Sequence, residues 1–298
     1  MDEPSATIKI SRDRAASFGR ETVAILKAGY YVTDTGVRVD IGEAVARAVE
    51  GTVTYPPTDE LPPKSPQQSP QQSPRAGTMT VEVINTTTLV GVRALQAQGW
   101  NPAALNFASA THPGGGFLSG ALAQEEYLAR SSGLWACLRA NPMYAFHQGR
   151  LDPFYSHYVI YSPEVPVFRD ECGALLETPY KCAIITSPAV YASAVQRHMP
   201  ERLREIGPVM FERILKVLAV AERHGHRSLV LGAWGCGAFG NDGHQIAALF
   251  RQALEAHYRA AFDHVLFAIT DWSEDKKYIG PFLKTFGEGQ IRLPAGSA

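Results

Sequence analysis

Short apolar segments alternate with stretches of helical periodicity from residue 79 onward, and this alternation constrains the fold more than any other feature. Strand-like runs fall at 79–85 (MTVEVIN), 104–107 (ALNF), 158–162 (YVIYS), 182–187 (CAIITS), 228–232 (SLVLG) and 264–270 (HVLFAIT). Helical patterns fill 86–99, about 122–139, 201–223, 243–258 and 274–286. Strands this short and this apolar leave no polar face for water, so they predict a central sheet covered by helices on both sides. In such sheets ligands sit at the carboxyl ends of the strands.

The N-terminal segment has a different character. Residues 10–28 read as an amphipathic helix with Ser11 as N-cap and Phe18, Thr22, Ile25 and Leu26 at helical spacing. A hairpin around Asp34-Thr35-Gly36 and a short helix over 42–50 follow. Composition breaks at Pro56. The stretch 61–78 holds five prolines and a Ser-Pro-Gln-Gln repeat with no core-forming residue after Leu61, so a solvated, extended excursion is expected. The chain therefore divides into an accessory helix and hairpin (1–55), a Pro/Ser/Gln-rich insert (56–78) and an α/β core (79–298), within a single domain.

Charge and cysteine content remove several function classes. Lys plus Arg number 28 against 29 Asp plus Glu, a balance that lacks the basic excess needed for direct nucleic-acid binding. No apolar run approaches the roughly 20 residues of a membrane helix, and the first residues lack a signal-peptide pattern. An intracellular protein, cytoplasmic or nuclear, with no membrane association is the expectation. Four scattered cysteines, without a C-x-x-C pair, predict neither a disulfide framework nor a zinc site. No metal and no cofactor are expected.

Both glycine-rich loops leave strands at their carboxyl ends. The first runs from Asn106 through Ser109 to Gly114-Gly115-Gly116, and a helix then opens with Gln124-Glu125-Glu126. Consecutive glycines let a backbone approach a ligand closely with its amides exposed. The second loop, 232–243, contains Gly235-Cys236-Gly237-Ala238-Phe239-Gly240 and leads into another helix, a pattern suited to phosphates at a helix N-terminus. Phe239 between glycines can pack on a sugar or base, or plug the core. Cys236 reads as a small packing residue rather than a nucleophile.

Acidic residues in a first turn stabilise the helix dipole, and Glu126 with Arg130 forms an i,i+4 pair. Geometry adds a second reading. On one continuous helix Tyr127, Leu128, Leu134, Trp135 and Leu138 make an apolar stripe that also takes Gln124, while Glu125 and Glu126 lie off it and face the glycine loop. A carboxylate beside a phosphate cradle suits acid/base work on a sugar or ester oxygen. His224 and His226, flanking Gly225, read as solvated turn residues.

The spacing of Gly114-Gly115-Gly116 and Gln124-Glu125-Glu126, with the Gly235–Gly240 loop downstream, resembles the signature of poly(ADP-ribose) glycohydrolases. The string from Asn106 to Leu134 is similar to the shorter, bacterial-type branch in particular. The resemblance implies a three-layer α/β/α macrodomain-like mixed sheet with an N-terminal helical and hairpin extension. It implies hydrolysis of ribose–ribose O-glycosidic bonds, with poly(ADP-ribose) and ADP-ribosylated proteins as substrate. Glu126 would then protonate the leaving oxygen and activate water, and Glu125 would hold ribose hydroxyls. Gly114–Gly116 and Gly235–Gly240 would bind the diphosphate, with Phe239 on the terminal ribose and Asn106, Ser109 and Gln124 lining the site. A non-catalytic ADP-ribose reader and a mono-ADP-ribosyl hydrolase use the same loops and stand as alternatives, although a reader needs neither glutamate.

Overall fold

A computed structural model describes residues 10–61 and 79–287. The insert expected over 62–78 lies outside the described residues. In chain order the elements are α1 (Arg12–Ala28), β1 (Tyr30–Val32), β2 (Arg38–Asp40), α2 (Gly42–Glu50), β3 (Val53–Tyr55), β4 (Thr80–Ile84), α3 (Thr88–Ala97), β5 (Ala103–Phe107), α4 (Gln124–Ser131), α5 (Leu134–Leu138) and α6 (Pro142–Gln148). Then follow β6 (Val159–Arg169), β7 (Leu175–Ser187), α7 (Ala192–His198), α8 (Ile206–Arg223), β8 (Ser228–Leu231), α9 (Gly243–His257), β9 (His264–Ala268) and α10 (Gly280–Phe286).

Seven strands form one mixed sheet in the order β3-β6-β7-β5-β8-β9-β4. From β7 to β4 the neighbours are parallel, and β6 and β3 add antiparallel partners at one edge. Alternate residues of each strand feed opposite faces, as a pleated strand requires. Val265 and Phe267 join α8, α9 and α10 in one apolar cluster, while Leu266 and Ala268 join α3, α4, α5 and α6 in another. The expected three-layer mixed α/β/α architecture is present. A third cluster of Ile25, Tyr31, Ile41, Val45 and Phe168 seats the N-terminal helix and hairpin on β6. Among the described residues no helix is long and apolar enough to cross a membrane.

Several local expectations hold. Ser11 caps α1 by accepting from the Arg14 amide, and β1 and β2 pair around a turn with Gly36 at φ 84°. Others are corrected. The helix expected over 122–139 is two helices, because Ser132 is extended and bridges Val167 while the Gly133 amide donates to the Pro166 carbonyl at 2.8 Å. The edge of β6 captures the chain there, so the continuous apolar stripe ends at Ser131. Strands β6 and β7 far exceed the expected 158–162 and 182–187; a register shift between Ser162 and Val165 takes Pro163 out of the regular ladder, while Pro166 stays in register opposite Lys181. β3 and α6 come from segments given no element in the sequence reading. Helix α10 begins at Gly280 rather than at 274. Residues 53–55 supply an edge strand, so the N-terminal segment is part of the central sheet.

Helix α1 lies directly on the loop ahead of α4. A Cβ at Gly19 would sit 2.5 Å from the Phe117 carbonyl oxygen, and one at Gly120 would sit 2.1 Å from that of Arg12. Alanine at a helical glycine ordinarily stabilises by roughly 0.5–1 kcal/mol. At Gly19 overpacking against backbone, worth about 1–3 kcal/mol, outweighs that gain. Gly19→Ala is therefore expected to lower the urea midpoint at unchanged m-value, and a raised midpoint would show that this contact is loose.

Candidate active site

The two glycine-rich loops meet because β5 and β8 are adjacent parallel strands whose carboxyl ends share one edge of the sheet. Between them lies a cleft of about 820 Å3, within the range of small-molecule sites. Residues 107–109 and 122–127 form one wall, 233–239 the second, and 268–272 with Tyr278 a third. Phe18 of α1 and the 169–173 turn between β6 and β7 close the remaining side.

Glu125 and Glu126 open α4 and are both buried, at 3% and 8% exposure. Glu125 Oε2 accepts from the Ser109 amide at 2.6 Å, and Oε1 accepts from Asn106 Nδ2 at 3.4 Å. Asn106 is itself held by Thr186 Oγ1 at 3.2 Å. Burial pushes the Glu125 carboxyl up to about 8, against the Ser109 amide, which favours the charged form; the neighbouring Glu126 raises it further. Glu126 Oε1 accepts from the Gly116 amide at 2.9 Å, while Oε2 is buried without a hydrogen-bond partner. No ion pair joins Glu126 to Arg130, whose Nη1 donates instead to the Ala121 carbonyl.

The first loop works differently from its expected role. The Gly114 amide lies against Glu125, the Gly115 amide donates to the His112 carbonyl, and the Gly116 amide holds Glu126. The Gly115 and Gly116 amides are thus engaged inside the protein, and none of Gly114, Gly115 and Gly116 lines the cleft. The glycines are required for a steric reason: a Cβ at Gly115 would lie 2.3 Å from Glu126 Oε1 and 3.0 Å from Glu125 Oε2. Gln124 is likewise engaged, accepting from the Phe107 amide and donating to the Leu105 carbonyl and Thr88. It fixes α4 to β5. Asn106 is fully buried and acts on Glu125, and Ser109 Oγ caps its own turn by accepting from the Thr111 and His112 amides.

The second loop keeps backbone donors free at the cleft. Gly235, Gly237, Ala238 and Phe239 line the cleft, and among the described residues the amides of Gly237, Ala238 and Phe239 have no protein acceptor. Gly235, at φ 75°, passes so close to Asn241 and Ala189 that a Cβ would meet them at 2.5 and 2.6 Å. Cys236 and Gly240 depart from their expected ligand contact. The Cys236 thiol is buried against the Trp234 carbonyl and its amide donates to Ala233, while the Gly240 amide closes a turn onto Gly237. Burial holds the Cys236 thiol at about 12, so it stays protonated. Phe239 is half-buried: its ring stacks on Tyr191 at 4.9 Å and still lines the cleft.

Sequence reasoning missed the third wall. Asp271 accepts from the amides of Ser273, Tyr278 and Ile279, and Asn85 pairs with its backbone in both directions. This staple carries Trp272, 53% exposed, and Tyr278 to the cleft. Tyr127, read as part of an apolar stripe, lines the cleft and donates its hydroxyl to Glu171 at 3.0 Å. His226 is buried and His224 stacks on Tyr161 at 3.5 Å, so neither is the solvated turn residue expected.

The family model for the microbial-type PARG catalytic domain matches residues 19–170. A mutant poly(ADP-ribose) glycohydrolase from Thermomonospora curvata is similar at 46% identity, covering 92% of this chain and 100% of that one, with a TM-score of 0.83. The Thermomonospora curvata enzyme bound to the inhibitor ADP-HPD superimposes with a TM-score of 0.81 at 44% identity, covering 91% of this chain and 99% of that one. The Deinococcus radiodurans enzyme in complex with ADP-ribose gives 0.73 at 39%, covering 81% and 96%. No curated protein sequence matches the chain. On its sequence, its sheet and its paired glutamates, the chain belongs to the microbial-type poly(ADP-ribose) glycohydrolase family.

Proposed function

We propose that the protein hydrolyses the ribose–ribose O-glycosidic bonds of poly(ADP-ribose), including polymer carried on proteins, and releases ADP-ribose by acid/base catalysis at Glu126. The observation that carries this reading is the free Oε2 of Glu126, buried and without a hydrogen-bond partner, on a residue that lines the same cleft as Gly237, Ala238 and Phe239. The Gly116 amide fixes one carboxyl oxygen and so orients the other toward the substrate.

The steps follow from that placement. A proton on Glu126 Oε2 passes to the leaving ribose oxygen as the C1–O bond breaks, and positive charge develops on the terminal ribose. The substrate's own diphosphate, held by the amides of Gly237, Ala238 and Phe239, lies close enough to stabilise that charge. Glu126, now ionised, takes a proton from water as its oxygen bonds to C1, which restores the starting state. Glu125 retains its proton at neutral pH and holds the ribose hydroxyls from a position fixed by Ser109 and Asn106. One carboxyl serves both half-steps, unlike the two-carboxylate division of most glycosidases.

Glu126→Gln keeps shape and hydrogen bonding but cannot exchange a proton. Turnover of defined polymer is expected to fall at least 10²–10⁴-fold, about 3–5 kcal/mol in barrier, with ADP-ribose affinity nearly unchanged. Retention of most activity would remove Glu126 from the acid/base role. Glu125→Gln should weaken both binding and rate. Phe239→Ala should lower turnover through misplacement of the ribose, and the melting temperature should move little because the ring is only half-buried. A loss of about 3–5 kcal/mol in stability would instead make Phe239 a core residue.

Glu125 also predicts a pH signature of stability. Its carboxyl lies near 8 in the folded chain, well above the roughly 4.3 of an unfolded glutamate, so the native state binds the extra proton between these values. This contribution is complete below the unfolded value and is lost as pH rises through about 8. Wild-type melting temperature should therefore decline from pH 5 to pH 8 more steeply than that of Glu125→Gln. Parallel profiles would show that Glu125 ionises normally.

A further inference from the structure

Arg213 is the fully buried cation of α8, at 0% exposure, and it forms no ion pair among the described residues. A buried guanidinium is costly unless its donors are matched. Its two terminal nitrogens are matched by backbone: Nη1 donates to the Pro188 carbonyl and Nη2 to the Phe154 carbonyl, each at 2.8 Å. Those carbonyls belong to two segments far apart in sequence, one ahead of β6 and one behind β7.

Each segment presents a tyrosine to Phe239. Tyr191 follows Pro188 and stacks on the Phe239 ring at 4.9 Å and 24°, and its amide donates to the Pro153 carbonyl at 2.8 Å. Tyr155 follows Phe154 and meets the same ring at 6.1 Å. Tyr155 is held at φ 53°, a left-handed conformation that a bulky residue rarely adopts and keeps only when its surroundings enforce it. The enforcing contacts are the Arg213 bond to the preceding carbonyl and the turn closed by the Tyr155 amide on Asp152 at 3.1 Å.

We infer that Arg213 is a positioning residue for the reaction: by forking between the Phe154 and Pro188 carbonyls it sets the two tyrosines that fix Phe239 against the terminal ribose. The inference rests on the function proposed above only for the identity of the ligand, ADP-ribose. Lysine keeps an N–H donor group but lacks the rigid planar fork whose two nitrogens reach the two carbonyls, so the substitution removes the fork.

The test is a double-mutant cycle on Arg213→Lys and Phe239→Ala, read by ADP-ribose affinity from calorimetry and by kcat on defined polymer. Arg213→Lys should weaken ADP-ribose binding about tenfold and lower kcat, and the double variant should be no worse than Phe239→Ala alone. Losses that multiply independently, or a lowered melting temperature with affinity and kcat intact, would overturn the inference. Should Arg213→Lys not fold, Tyr191→Leu takes its place in the same cycle, with Tyr191→Phe expected to retain wild-type affinity. Wild-type protein that binds ADP-ribose but leaves polymer intact defeats the proposed activity, while the affinity cycle still decides the role of Arg213.

Discussion

The approach of the Gly115 backbone to two carboxyl groups governs the architecture around it. With the Cβ position only 2.3 Å from Glu126 Oε1, no side chain fits between loop and helix, and the loop lies flat on the first turn of α4. That contact puts the Gly116 amide on one oxygen of Glu126 and the Gly114 amide beside Glu125. The loop is then held from behind, where Gly19 of α1 abuts the Phe117 carbonyl. Three successive layers of close backbone contact, α1 on loop on α4, thus fix two side-chain oxygens. The N-terminal helix acts on the site through packing as well as by lending Phe18 to its wall.

The sheet explains why a second loop more than 100 residues away completes the cleft. Adjacent parallel strands β5 and β8 end at the same edge, so whatever follows each must share that space. Loop 232–242 enters α9 with Asp242 as N-cap, which spends the cap on the His244 amide. The amides of 237–239 stay available for a ligand. The two loops divide the labour: one places carboxyls and uses up its own donors, the other keeps donors free.

Periodicity and spacing read in the sequence anticipated the elements that local chemistry decides. Ser11 as N-cap, the Asp-Thr-Gly hairpin, the alternation of buried strands with helices and the paired glycine and glutamate motifs all depend on neighbours within a few residues. The failures share the opposite cause. Ser132 breaks a helix because β6 captures it, and β6 runs on past Pro163 because the register shifts there. The amides of Gly115 and Gly116 look available in a linear reading, and only α4 and the His112 turn reveal that they are taken. Tyr191, Tyr155 and the Asp271 staple carry no local motif, since each matters through a partner far along the chain.

A cleft that admits a diphosphate beside two glutamates faces a Coulombic conflict, because like charges a few ångströms apart repel strongly where water is scarce. Two features relieve it. Burial keeps Glu125 protonated at neutral pH, so the pair does not present two full charges. On the proposed reading, the amides of 237–239 would meet the ligand with oriented dipoles rather than with a cation that would also attract Glu126. The site carries three local costs in stability: a carboxyl held far from its unperturbed titration, a carboxyl oxygen without a partner and a tyrosine at positive φ. The two apolar clusters that sandwich the sheet offset those costs, and they reach the cleft itself through Trp234, Ile269 and Ala268. Rigidity supplied by the core is therefore what allows the site to hold groups in states that water would reverse.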